Sequence, residues 1–117
     1  MKDDTLYLIH IVECINRIET YVEGFDYEKF LESALIQDAV LRNLQVLAES
    51  TQHLSSKFKD AHSEVEWYKI SGLRNILVHD YLGIDIDTVW NIVVRKLPDF
   101  KLLIERHVPQ AMLNKDR

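Results

Sequence analysis

A chain of 117 residues is long enough for one compact domain, and 47% hydrophobic with 28% charged residues excludes a disordered tail. Three glycines and two prolines are too few for the turn-rich pattern of an all-β sandwich, so abundant Leu, Ile, Glu, Lys and Ala point to helices. The net charge of −5 argues against a broad basic face for nucleic acid, although it leaves room for a small cationic cleft.

The first predicted helix covers residues 5–22, where Leu8, Ile11, Ile15, Ile18 and Val22 recur at spacings of three and four and form one apolar stripe. Tyr7, Cys14 and Tyr21 line a second face beside it. Gly24 supplies a stop signal, and residues 27–31 have room for a turn or two of helix. The longest predicted helix covers residues 35–57, with Ile36, Val40, Leu44, Leu47, Leu54 and Phe58 on its inner stripe. Residues 59–65 read as a polar loop. Ser63 followed by Glu66 has the spacing of a capping box that would open the next helix, over residues 64–81. Gly83 ends that helix. Asp85 is a natural N-cap for the last one, which runs through Val89, Val93, Leu97, Phe100 and Ile104 with a kink or restart at Pro98. Together these elements predict an all-α protein, an antiparallel bundle of four to five helices with short connections, forming a single domain over residues 1–117.

No apolar run approaches the roughly 20 residues that span a bilayer. The start of the chain carries Asp3 and Asp4 where a signal peptide would carry basic residues, so a cytoplasmic protein is expected, with no membrane association. One cysteine, Cys14, gives neither a disulfide framework nor a zinc pattern, and the five histidines are dispersed; no metal and no cofactor are expected.

The pattern with chemical content is Arg74, His79 and Tyr81, with Asn75 four residues before His79 and therefore on its helix face. Arg74 and Tyr81, seven apart, share a second face. Placing four polar groups among Leu73, Ile76, Leu77, Val78 and Leu82 costs stability unless they are satisfied or used. The residue types suit phosphodiester cleavage. A histidine exchanges protons near neutral pH with a ribose 2′-hydroxyl or a leaving 5′-oxygen, and an arginine holds phosphate and offsets developing charge. RNA brings its own nucleophile, so neither a metal nor a protein nucleophile is required. The spacing alone leaves a purely structural alternative open, with Arg74 paired to a carboxylate such as Glu49 and His79 capping its own helix. Asn75 is expected to orient His79, and Asp38 and Glu49 to face the motif helix in structural ion pairs. Trp67 and Trp90 read as core or interface anchors.

The chain resembles the HepT-type toxins of the HEPN (higher eukaryote and prokaryote nucleotide-binding) superfamily. The resemblance lies in residues 37–44 (QDAVLRNL), 48–50 (AES) and above all 67–83 (WYKISGLRNILVHDYLG). That family's Arg-x4-His-x-Tyr motif falls on Arg74, His79 and Tyr81 without departure. The resemblance implies a metal-independent endoribonuclease with Arg74 and His79 catalytic and Asn75 in support. It implies a homodimer whose motif helices meet in one cleft, where Arg74 and Lys69 from both copies would concentrate positive charge. It also implies a minimal nucleotidyltransferase antitoxin that transfers AMP to Tyr81, placing negative charge and bulk beside Arg74. The competing expectation is a non-catalytic helical adaptor that uses the same surface to bind nucleotide for the nucleotidyltransferase.

Overall fold

The structure is a computed structural model that describes residues 4–109 and Met112. Met1 to Asp3, part of the stretch weighed against a signal peptide, lie outside these. The described residues form helices and no strands: α1 (Asp4–Tyr21), α2 (Tyr27–Glu32), α3 (Ala34–Gln52), α4 (Ser56–Ala61), α5 (Trp67–His79), a 3-10 turn (Tyr81–Gly83), α6 (Ile86–Asn91), a π turn (Ile92–Lys96) and α7 (Leu97–Glu105). The expected all-α bundle is what the chain forms. Four columns build it, namely α1, α3, α5 and the continuous α6–π–α7 rod, while α2 and α4 are short connectors.

Four contacts show the columns to be antiparallel. Asp4 at the start of α1 accepts from the Ser55 backbone N–H at 2.8 Å, just beyond the end of α3. Gln52 Nε2 at the end of α3 donates to Ser71 Oγ near the start of α5 at 3.3 Å. Lys101 of α7 meets Glu19 near the end of α1 at 2.9 Å, whereas His107 just past α7 packs on Phe58 of α4. The centre is aliphatic. Ile11, Ile15, Ile18, Val40, Leu44 and Ile104 are wholly buried, and each contributes about 1.5–3 kcal/mol by leaving water. Phe30 of α2 closes one end of this core against Trp90 of α6, ring centroids 4.9 Å apart. Trp67 anchors α5 by donating to the Lys59 and His62 carbonyls at the end of α4.

The stripe of α1 and the stop at Gly24, whose φ of +78° suits glycine, follow the sequence reading. Other boundaries do not. The predicted 35–57 helix divides in two, because Asp4 holds both the backbone N–H and the hydroxyl of Ser55, and Ser55 in turn caps α4 by accepting from the Phe58 N–H. Part of the predicted 59–65 loop is therefore helical. Ser63 makes no capping box; α5 begins at Trp67 behind Glu66, which forms no side-chain cap. Asp85 does cap α6, accepting from the Asp87 N–H at 3.2 Å. The disturbance at Pro98 takes the form of a π turn upstream, where the Leu97 N–H reaches back to the Ile92 carbonyl. Widening the helix there accommodates a proline that has no N–H and whose ring would strike the carbonyl of Val94.

Candidate active site

Helix α5 lies along α3 and buries one residue fully, Leu77. Trp67, Ile70 and Leu73 are half-buried on the same side. The seam between α5 and α7 stays open as a cleft of about 450 Å³, lined by apolar residues including Leu44, Leu47, Ile70, Leu73 and Phe100 and by none of the motif residues. The motif sits instead at the C-terminal end of α5, where the helix stops and the chain turns.

Arg74 leans towards α3. Its Nη2 lies 3.9 Å from Glu49 Oε2 and its Nη1 donates to Asn75 Oδ1 at 3.2 Å. Its Nε is buried and, like Asn16 Oδ1 elsewhere in the fold, has no hydrogen-bond partner among the described residues. Asn75 therefore supports Arg74 and does not make the expected contact with His79. His79 is the last residue of α5 and is exposed. Its imidazole has no hydrogen-bond partner among the described residues.

Tyr81 lies outside α5, so helical periodicity does not set its position. Asp80 ends the helix, and the 3-10 turn Tyr81–Gly83 redirects the chain. Gly83 lets the Asp80 carboxylate fold over it, since a Cβ there would fall 2.5 Å from that side chain and push it aside. The turn carries the Tyr81 ring half-buried against the core, and its hydroxyl donates to Asp38 Oδ1 of α3 at 3.0 Å. Burial foremost, then the Asp38 carboxylate, pushes the Tyr81 phenol above the usual tyrosine range. Of the two acids expected to face the motif helix, Glu49 does so as a loose ion pair, whereas Asp38 meets the tyrosine and no cation. Lys69 is tied to Glu66 at 3.2 Å.

A family model of HepT-like ribonucleases matches residues 11–107, a span that contains the whole motif and all of the helical columns but the first turns of α1. The chain belongs to the HepT-like ribonuclease family. The mRNA nuclease HepT of Shewanella oneidensis is 29% identical over a 129-residue alignment covering 81% of this chain and 88% of that protein. A Thermococcus cleftensis protein named probable ribonuclease HepT is 32% identical over 100 residues, 86% of this chain and 91% of its own length. A Methanocaldococcus jannaschii protein named for a gamma-glutamylcyclotransferase and a candidate RNase is 30% identical over 115 residues. The chain spans about half of that larger protein, 52% of its length. No solved structure matches the chain. The expected enzyme class, an endoribonuclease, accords with this family.

Further features of this HepT-like ribonuclease were not evident from spacing. The outward side of α5 and the turn after it expose large apolar groups: Tyr68 at 71%, Ile76 at 44% and Leu82 at 94%. Gly72 lies between Tyr68 and Ile76, one turn from each, and a Cβ built on it meets nothing within 4 Å. An exposed mid-helix glycine costs about 1 kcal/mol relative to alanine, and nothing in the chain itself requires one there. Among the described residues no helix is long and apolar enough to cross a membrane.

Proposed function

We propose that this HepT-like ribonuclease is the toxin of a toxin–antitoxin pair, a metal-independent endoribonuclease that acts in the cytoplasm as a homodimer. Arg74 and His79 cut RNA, Asn75 steadies Arg74, and a minimal nucleotidyltransferase antitoxin silences the site by placing AMP on Tyr81. Arg74 carries this reading. It is a guanidinium half-buried against α3 with only a loose 3.9 Å carboxylate contact, set about one and a half turns from an exposed histidine.

The chemistry follows from these groups. His79 takes the proton of a ribose 2′-hydroxyl, whose oxygen attacks the adjacent phosphorus. The bond to the 5′-oxygen breaks, and that oxygen receives a proton from the imidazolium, leaving a cyclic phosphate on one product. Arg74 offsets the charge that grows on the phosphoryl oxygens. Five residues of helix separate the two side chains by roughly 140° around the axis, so one α5 cannot aim both at one phosphate. The exposed Tyr68 and Ile76, with Gly72 allowing two helices to approach closely, support pairing through α5. His79, seven residues from Gly72, lies on that face, whereas Arg74, two residues from it, lies on the α3 side and its long side chain has to reach round the helix to a shared cleft.

The S. oneidensis relative is named for mRNA, which makes messenger RNA the first substrate to assay. The purified chain is expected to cleave it in the presence of a chelator. Arg74→Ala and His79→Ala should each lose about 10²–10³-fold in rate with the fold intact by circular dichroism. Cleavage undiminished in His79→Ala would remove the assignment. Tight nucleotide binding without cleavage by the unmodified protein would favour the adaptor role.

A further inference from the structure

We propose that Asp38 is the proton acceptor for nucleotide transfer onto Tyr81, so that α3 supplies part of the modification site from within this chain. The proposal rests on the reading of Tyr81 as the residue that receives AMP.

Asp38 and Tyr81 are 43 residues apart, and their 3.0 Å hydrogen bond is made by the tertiary fold. Tyr81 is delivered by the 3-10 turn that follows the helix break at Asp80, and Asp38 by α3, so this meeting is built by several elements. Among the described residues no lysine or arginine pairs with Asp38, so its carboxylate is not committed to a structural ion pair. The carboxylate is exposed and the tyrosine half-buried, which leaves the hydroxyl reachable from solvent while the ring is held. Asp38 is also the charged group that acts on the phenol, and it favours the protonated form. A phenol held protonated is a poor nucleophile at neutral pH unless a base takes its proton as the new bond forms.

The step balances as follows. Tyr81 Oη attacks the α-phosphorus of ATP and forms the Oη–P bond. Its proton passes to Asp38 Oδ1. The bond from the α-phosphorus to the oxygen bridging to the β-phosphate breaks, and pyrophosphate leaves with the electron pair. Asp38 becomes neutral as the phosphoryl charge draws near, then returns the proton to water. The resulting ester oxygen has no hydrogen to donate, so the Tyr81–Asp38 bond cannot re-form. The modified tyrosine is thereby released from α3, and the recharged carboxylate repels the adenylate.

The test incubates the full chain with ATP and a minimal nucleotidyltransferase of the proposed antitoxin class, and follows adenylate on Tyr81 by intact mass and peptide mapping from about pH 6 to 9. Asp38→Asn keeps an oxygen that can accept from the phenol, so it preserves the contact while removing the base. It is expected to lower kcat for transfer about 10²-fold with KM for ATP unchanged. Its rate should climb about tenfold per pH unit where the wild-type rate is flat, because hydroxide must replace the carboxylate. Asp38→Glu should recover part of the rate. Transfer by Asp38→Asn at the wild-type rate and pH profile would overturn the proposal and leave Tyr81 as the acceptor. A raised KM with unchanged kcat would also overturn it, by making Asp38 a docking contact. Absence of adenylate on Tyr81 in the wild type would remove the underlying reading and the proposal together.

Discussion

Glu49 and Arg74 meet across 3.9 Å with side chains 40% and 30% exposed, so water screens them and the pair is worth less than about 1 kcal/mol. On the role proposed for Arg74, the carboxylate has a larger effect on ligand than on fold, since it competes with an incoming phosphate for the guanidinium. Glu49→Gln is therefore expected to leave the melting temperature nearly unchanged while lowering KM for RNA, with kcat little altered. A large loss of stability would show that the contact holds α5 to α3. The types and spacing of Arg74, His79 and Tyr81 were readable without coordinates. Their partners were readable in part, because facing residues on a long helix can be guessed from register, and Asp38 and Glu49 were. Which acid meets which group could not be, since Tyr81 is placed by the Asp80–Gly83 turn, whose direction no periodicity encodes. Asn75 shows the same limit. Sharing a helix face with His79 made that contact plausible, yet its amide oxygen turns to its immediate neighbour Arg74.

Among the four columns, α5 is the least settled within the protomer. It buries one residue fully and leaves Tyr68 and Ile76 in water around Gly72. Two substitutions at Gly72 separate what the helix needs from what a second copy needs. Open space around the added Cβ means that Gly72→Ala should stabilise the isolated protomer by about 1 kcal/mol. Gly72→Gln, equally harmless to the protomer, should separate α5 helices that cross there, lowering both the dimer fraction in sedimentation and the cleavage rate. A dimer unaffected by glutamine would move the interface elsewhere. The legibility of each element follows where its instructions lie. Helix α1 carries a complete apolar stripe and a positive-φ glycine stop, both local, and it was read closely. The break after Gln52 was missed because it depends on Asp4, 51 residues from the Ser55 it grips. The supposed capping box at Ser63 failed for a related reason. The chain there is committed to bringing Trp67 under the last carbonyls of α4, so the helix starts later.

At the scale of the whole molecule, charge and pH act on different parts. His107 stacks edge-on against His62, centroids 4.5 Å apart, and against Phe58, joining the end of α7 to α4. Burial foremost, then His62, lowers its pKa from the ordinary value. The unfolded chain then binds the proton more readily. The stabilisation is thus full above about pH 6.5 and declines as pH falls through that value towards the lower folded one. The residue is exposed, so the effect is small. The melting temperature should slope downwards between about pH 7 and 5.5, less steeply in His107→Gln.

Binding of RNA is governed by a different balance. With a net charge of −5, the exterior repels a polyanion at long range, and in the proposed homodimer attraction has to come from the few cations of the two α5 helices. Two copies of Arg74 and of Lys69 are at most four phosphate contacts, and Lys69 must first leave Glu66. For single-stranded RNA that number gives a slope of log affinity against log salt of about −3 or shallower. The measurement is RNA binding by the His79→Ala variant, which on the proposed mechanism holds substrate without consuming it, over a series of salt concentrations. Arg74→Ala in that background should flatten the slope by about 1–2, whereas neutralising a lysine remote from α5, such as Lys57, should leave it unchanged. A slope steeper than about −6 would require a broad basic surface, which this acidic chain could offer only through a partner.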